Sequence, residues 1–486
     1  MSPESSGKGS KSGKSGGAAD TPDQAKVAAA MESFRELVAK DPNALTAVIE
    51  ALKGIAAETA AAHSGPKRAI CLAGGGPAVG LHIGALDALK ARGVDFGNAR
   101  SIWALSCIGA WVGVIYNQAD NKKEIETTYN FFHDVFRDDK SFQSFPTNTI
   151  FAPDWGGFAQ AAWEFLLEPE HYRNAFLPRH IMESYRKTLS ILRDRENWGK
   201  FSEADFNRWT LNNVMAVHPM VRFLTALMYK SHVDGRSRLY YEDSKFLNDI
   251  KFERLNERGK PFLFHNAFNF AKKGIDLFAN NPPGWARQDY KKISAASLCA
   301  CSALPFIEQT VQVDGETYCE GALVDTVNFK SLLEDHNHPD DPIEEIWINR
   351  IVDVRQIRKP RNMHDSLANL CQMFAATVGE DDIRLFKFHV RRNNWLANNR
   401  PENNHLEKNL KWTGTLVEIR VDDHNDFHWS HENLDHGRAN GARAAEDAYK
   451  LYERYKGIKA PDVTMIPDDL SDNDIRAAGV KPPPRR

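Results

Sequence analysis

The chain has 486 residues, 42% of them hydrophobic and 26% charged, and a formal net charge of -3. That length fits one large α/β domain with insertions or two smaller domains. The nearly balanced charge gives no reason to expect the phosphate-driven binding of a nucleic-acid protein.

Met1 to Asp23 is rich in Ser, Gly and Lys and lacks the apolar side chains that would offset the entropy of ordering it, so a disordered tail is expected. From Gln24 to Ala62 apolar residues recur at helical spacing, predicting one or two helices. Arg68 to Ala73 is a short apolar run suited to a buried strand, and Gly74, Gly75 and Gly76 stop it. A helix follows over about 80–91, with Gly84, Ala85 and Ala88 leaving room for close backbone approach. Ser101 to Leu105 reads as the next buried strand, and IGAWVGVIYNQ after Cys107 as a second apolar helix. Strand, tight turn and helix in repetition predict a parallel sheet covered on both faces.

Asn121 to Gly284 is aromatic-rich and broken by prolines, with helical spacing near 171–192 and 220–230, and reads mostly as a helical insertion able to serve as a lid. Pro261 to Asn269 looks like a further sheet strand. A helix is expected from about Ile293 to Ala300, then a hairpin through Asp314 and Gly315. Strands over 345–357 and 412–421, helices over 363–377 and 434–455 and a loose end containing Pro482, Pro483 and Pro484 complete the reading.

The glycine triplet can turn several backbone N–H groups toward an anion at the mouth of a helix. A dinucleotide site is disfavoured, because Ala78 and Val79 stand where G-x-G-x-x-G spacing would require otherwise. Cys107 lies at the second strand-to-helix turn, where α/β hydrolases lift a nucleophile above the carboxyl edge of the sheet. The helix N-terminus there favours a thiolate. Against G-x-S-x-G the chain reads Leu105, Ser106, Cys107, Ile108 and Gly109; Leu105 replaces the first glycine and should crowd the turn. Ser106 is an alternative nucleophile, although Gly109 would then fall out of register.

The segments AICLAGGGPAVGLHIGALDAL, ALSCIGAWVGVI and ISAASLCACSALPFIEQTVQVDGETYCEGALVDTVNF occur in the order found in the patatin-like phospholipase family, which this chain resembles. PFLFHNAFN, VRQIRKPRNMHDSLANL and NDFHWS extend the likeness over about residues 68 to 437. The resemblance implies a three-layer α/β/α fold over about 24–460, flanked by tails at 1–23 and 461–486, and lipid acyl-hydrolase activity from a two-residue site. It places the family's serine on Cys107, its catalytic aspartate on Glu320 and its oxyanion glycines on Gly74, Gly75 and Gly76. The arginine expected after them falls on Ala78. Asp325 is the substitute acid. A thiol is the stronger nucleophile at neutral pH, and Glu is a carboxylate on a longer arm.

The expected function is therefore acyl hydrolysis or acyl transfer on a lipid, acyl thioester or related ester through a Cys107 acyl-enzyme, with no metal or cofactor. The rival is an inactive patatin-like lipid-binding or protein-interaction module. Asp335, His336, His338, Asp340 and Asp341, and Asp422, Asp423, His424 and Asp426, read as solvated loops rather than metal sites. Arg355, Arg358, Lys359 and Arg361 form a short basic run that reads as a solvated loop, with contact to lipid headgroups as the alternative. Six cysteines without a CxxC pair suit a reducing compartment. With no run of about 18 apolar residues and no apolar stretch after Lys8, Lys11 and Lys14, the expected location is cytoplasmic, with peripheral contact at the inner face of a membrane open.

Overall fold

The structure, a computed structural model, describes residues 65–136, 151–152, 155–168, 178–193, 202–209, 211, 219–229, 235–239, 245–282, 290–399, 411–421, 423–456 and 463–482. The expected N-terminal tail and the helices of 24–62 lie outside the described residues.

The strand, turn and helix order appears as read. β1 (Arg68–Leu72) leads through the glycine triplet to α1 (Gly80–Ala91), and β2 (Ser101–Leu105) leads through Cys107 to α2 (Ile108–Gln118). Both strands lack turn residues within, and glycine or Ser-Cys ends them at once. In register, Arg68 to Leu72 pair in parallel with Ser101 to Leu105. α3 (Glu124–Val135) follows α2.

The described part of the insertion contains β3 (Phe151–Ala152), α4 (Trp155–Leu167), α5 (Pro178–Arg193), α6 (Glu203–Trp209), α7 (Pro219–Tyr229), β4 (Gly235–Leu239) and α8 (Lys245–Asn248). Within the same stretch, β5 (Phe262–Asn269) joins the main sheet beside β2, as read, and β6 (Gly274–Ala279) pairs with it antiparallel. Beyond them come β7 (Lys291–Lys292), α9 (Ala295–Ser302) and β8 (Phe306–Glu308). The hairpin of β9 (Val311–Val313) and β10 (Glu316–Glu320) turns through Asp314 and Gly315, both at positive φ.

α10 (Phe329–His336), β11 (Glu345–Arg350), α11 (Met363–Asn399), β12 (Thr415–Arg420), α12 (His431–Tyr455), β13 (Thr464–Ile466) and α13 (Asp472–Ala477) complete the order. The sheet runs β13-β12-β11-β1-β2-β5-β10-β9, with β6 and β7 attached through β5. Part of the stretch expected to be a loose C-terminal tail thus forms an edge strand, because Thr464 to Ile466 pair with Thr415 to Val417.

Alternation along the strands divides the core in two. Ile70, Leu72, Trp103 and Leu105 belong to one apolar layer. Ala69, Cys71, Ile102 and Ala104 belong to the other. Each face is covered by helices, giving the α/β/α sandwich. α1 packs backbone to backbone on α12: a Cβ on Gly84 would overlap the Arg438 carbonyl, and one on Gly441 would overlap that of Leu81. Gly84 does leave room for close approach, and α12 fills it.

Candidate active site

Cys107 caps α2 with φ 49° and ψ -124°. This left-handed backbone is uncommon for a residue bearing a Cβ, and it marks a turn held by its surroundings. Three contacts hold it. The Ser106 N–H donates to the Leu72 carbonyl at 3.0 Å, the Cys107 N–H donates to Cys301 Sγ at 3.0 Å, and Gly109 packs so close to Leu72 that a Cβ would overlap its carbonyl. Leu105 does not crowd the turn. Its side chain lies over Gly113, where a Cβ would come within 2.5 Å of Leu105 Cδ1.

Glu320 ends β10, and its N–H donates to the Ala303 carbonyl at 2.9 Å. β10 pairs antiparallel with β5, setting Glu320 opposite Ala267, while Leu105 of β2 lies opposite His265. The carboxylate therefore arrives just beyond the end of β2, where Cys107 stands. The two side chains meet beside Gly74, and both are buried. Burial pushes the Glu320 carboxyl up to about 7, while the bond to Cys107 pulls it down. The Cys107 thiol is pushed well above its ordinary range, first by burial and then by the Glu320 and Cys301 charges. Desolvation and a carboxylate neighbour both act against the thiolate that the helix N-terminus favours.

The glycine turn meets this pair. A Cβ on Gly74 would lie 3.0 Å from the Cys107 Cβ, 3.3 Å from that of Ala322 and 3.5 Å from Glu320 Oε1. Gly75 lies against Ile351, and Gly76 has φ 51° and faces the Phe427 ring. Among the described residues no group accepts a hydrogen bond from the Gly74 or Gly75 N–H. Ala78 and Val79 are buried in the core, so the position expected to carry arginine has become an apolar packing position.

Ser106 is fully buried, donating to Asn266 Oδ1 at 3.1 Å and accepting from Asn328 Nδ2 at 3.4 Å. Those bonds tie it beneath the turn. Asp325 is likewise occupied, accepting from the Val327 and Asn328 N–H groups at the start of α10. Ile108 joins Cys107, Glu320 and the three glycines around a cavity of about 130 Å³.

Apolar side chains make most of the remaining wall. Trp111 comes from α2, Phe131, Phe132 and Val135 from α3, and Leu367 and Ala375 from α11. The start of the expected insertion thus forms one wall of the cavity. A second, more polar cavity of about 270 Å³ is lined by Arg358, Lys359 and Arg361 and shares Ala368, Gln372 and Phe427 with the first.

A family profile described as patatin-like phospholipase matches residues 70–333, more than half of the chain. The chain belongs to the patatin-like phospholipase family. No curated protein matches. Among solved structures it is similar to VipD from Legionella pneumophila at 11% identity, with a TM-score of 0.33, covering 85% of this chain and 73% of that one.

Patatin-like membership points to hydrolase or acyltransferase chemistry on lipids. Two features of this patatin-like site escaped sequence reasoning. Cys301 supplies the sulfur that accepts from Cys107 across a separation of 194 residues, which leaves no local signal. Glu308 is a second buried carboxyl on the cavity wall, and a single acidic letter inside SALPFIEQT carries no local signal of that burial. Of the aspartate and histidine clusters, Asp341 bridges Lys67 and Arg100, and His424 pairs with Asp426 at 2.8 Å. Among the described residues no group of three or more His, Cys, Asp and Glu side chains could hold a metal ion.

Proposed function

We propose that this patatin-like protein transfers acyl groups from a lipid, thioester or related ester through Cys107, to water or to another acceptor. The observation that carries this reading is the placement of the Cys107 thiol and the Glu320 carboxyl together against the glycine turn in one apolar cavity. In acylation Glu320 takes the thiol proton as sulfur attacks the carbonyl carbon, and the carbonyl electron pair moves onto oxygen. The N–H groups around Gly74, Gly75 and Gly76 hold that oxyanion. Collapse breaks the bond to the leaving group, which takes the proton from Glu320. In the second half Glu320 accepts a proton from water or an acceptor alcohol, which attacks the thioester and returns the Cys107 thiol.

A thiol that rests protonated is compatible with this scheme, because the proton moves during attack and no standing thiolate is needed. The same protonated thiol is the observation that favours the second reading, a patatin-like module that binds lipid or protein without turnover. A reducing compartment, the cytoplasm, suits an enzyme whose nucleophile is a thiol. Peripheral membrane contact is supported by α11, where Leu370, Met373 and Phe374 are about half exposed beside the wall residues Leu367 and Ala375. The basic second cavity would then meet anionic headgroups.

The test is acyl labelling. The protein is incubated with activated acyl esters and acyl thioesters, and adducts are located by intact-mass and peptide mass spectrometry. A transient acyl mass on Cys107, released by hydroxylamine and lost in C107A, is expected. Label on another residue, or turnover equal in C107A, would overturn acyl transfer in favour of the binding module.

A further inference from the structure

Glu308 ends β8, its backbone fixed by the N–H bond to the Leu304 carbonyl at 2.9 Å and by the pairing of β8 with β4, in which it lies opposite Ser237. Two residues earlier Phe306 has φ 72°, a backbone rarely seen for an aromatic residue, so the chain turns sharply before the carboxyl is presented. The side chain is 7% exposed and lines the same cavity as Cys107 and Glu320. Its Oε2 is buried and, among the described residues, has no hydrogen-bond partner. Around it the wall is Trp111, Leu304 and Ile307.

A carboxyl placed among such neighbours is held in its neutral form. Burial raises it well above the ordinary range, and the nearby Glu320 charge adds to the effect. A neutral carboxylic acid carries one O–H donor. The acyl-transfer scheme above gives that donor no work, and a purely hydrocarbon acyl chain would leave it unmatched. A pocket built around a donor discriminates against ligands that cannot satisfy it far more strongly than an apolar wall discriminates by shape.

We propose that Glu308 is a specificity residue of this cavity, donating a hydrogen bond to an oxygen carried along the acyl chain, so that the favoured substrates are hydroxy- or oxo-acyl groups. This rests on the reading of the cavity as the acyl-binding site of a patatin-like acyl transferase. It goes further in naming the acyl chemistry that the cavity selects.

The experiment measures binding and acylation separately on the full chain. A fluorescent fatty acid is displaced by a saturated fatty acid and by its hydroxylated counterparts of equal length, with wild type, E308L and E308Q. Wild type is expected to bind one hydroxylated acid at least about tenfold more tightly than the plain acid. E308L should erase that preference, losing affinity for the hydroxylated acid and gaining it for the plain one. E308Q retains an N–H donor and should keep part of the preference, a recovery that a merely structural role would not give. Equal affinities in wild type, an unchanged ratio in E308L, or no displacement by either acid overturns the proposal. Acyl labelling of Cys107 is followed in the same samples. A Cys107 adduct without chain preference sinks the role of Glu308 alone, whereas a Glu308-dependent preference without any adduct sinks acyl transfer and leaves the binding role standing.

Discussion

Leu105 and Gly113 are a matched pair: the leucine fills the position that a side chain on the glycine would need, with 2.5 Å between Leu105 Cδ1 and a Cβ placed there. The pair explains how a strand can end in leucine where a nucleophile turn usually ends in glycine. G113A should destabilise the fold by about 1–3 kcal/mol through overpacking. Combining it with L105A should cost less than the two single changes added together. Additive losses in denaturant unfolding would show that the two positions do not compensate.

Glu320 sets the expected pH dependence of acylation. Only the ionised carboxylate can accept the Cys107 proton, and its carboxyl sits at about 7. The acylation rate should therefore rise with pH up to about 7 and level off above it, since the thiol itself stays protonated. E320Q should lower the rate by about 10²-fold or more and remove the inflection. A wild-type rate that does not change across neutral pH in single-turnover mass spectrometry would remove Glu320 from the reaction.

The same shift has a thermodynamic sign. Glu320 moves from 4.5 in an ordinary setting to about 7 in the folded chain, so the folded state binds the proton more tightly. Its contribution is complete below the unfolded value and is lost as pH rises through the folded one. At pH of about 8 a buried charge remains, and E320Q should be more stable than wild type by on the order of 1–3 kcal/mol. That advantage should shrink as pH falls toward about 4.5. Thermal unfolding of both proteins across this window checks it; Asp382, also raised but not by Glu320, is present in both and cancels, whereas Glu308 loses the Glu320 part of its shift in E320Q and adds to the difference.

Gly74 tests the meeting of the two turns. G74A would place a methyl group 3.0 Å from the Cys107 Cβ and 3.3 Å from that of Ala322, pushing the nucleophile away from Glu320. Displacements of this kind cost about 10²-fold in rate. The expected result is slow acylation with a native circular dichroism spectrum and a melting temperature only modestly lowered by the overpacking. Unimpaired acylation would mean that the glycine serves packing only.

Charge reversal at Arg358 and Lys359 tests the membrane face. Wild type should bind vesicles containing anionic lipid better than neutral ones, and added salt should weaken that binding. R358E/K359E should lose about 1 kcal/mol for each basic residue removed, or more because the sign is inverted. Equal sedimentation with both kinds of vesicle would confine lipid contact to the apolar cavity.

The strands and helices nearest the site were legible because glycine or Ser-Cys interrupts uniform apolar runs. The reading of 80–91 as a helix and of Ser101 to Leu105 as a strand agrees with α1 and β2 residue for residue. The sequence pattern predicts a helix ending near Thr377, whereas α11 continues to Asn399. Its later turns carry charged side chains, as in the Arg384 and Asp381 pair, that obscure the face on which Ile383, Phe386 and Val390 enter the second core layer. Within the site, position along known motifs indicated Cys107, Glu320 and the glycines. It could not reveal that Ser106 is held by Asn266 and Asn328, because those partners arrive from β5 and from the start of α10. The compensation of Leu105 by Gly113 was open to view, since both residues lie within one strand-turn-helix unit, but only the helix geometry shows that they face each other.

The clasp between α1 and α12 bears on how this protein can be divided. The segment matched to the family ends at residue 333, yet β11 lies between β1 and β12 at the middle of the sheet, and α12 presses its backbone onto the helix that follows the glycine triplet. Cutting the chain after the matched segment would strip β1 of a hydrogen-bonded neighbour and uncover the glycine face of α1, unhooking the very turn that meets Cys107. A fragment that keeps this site intact therefore includes β11, β12 and α12, and a boundary drawn at residue 333 would leave the glycine turn without the elements that hold it.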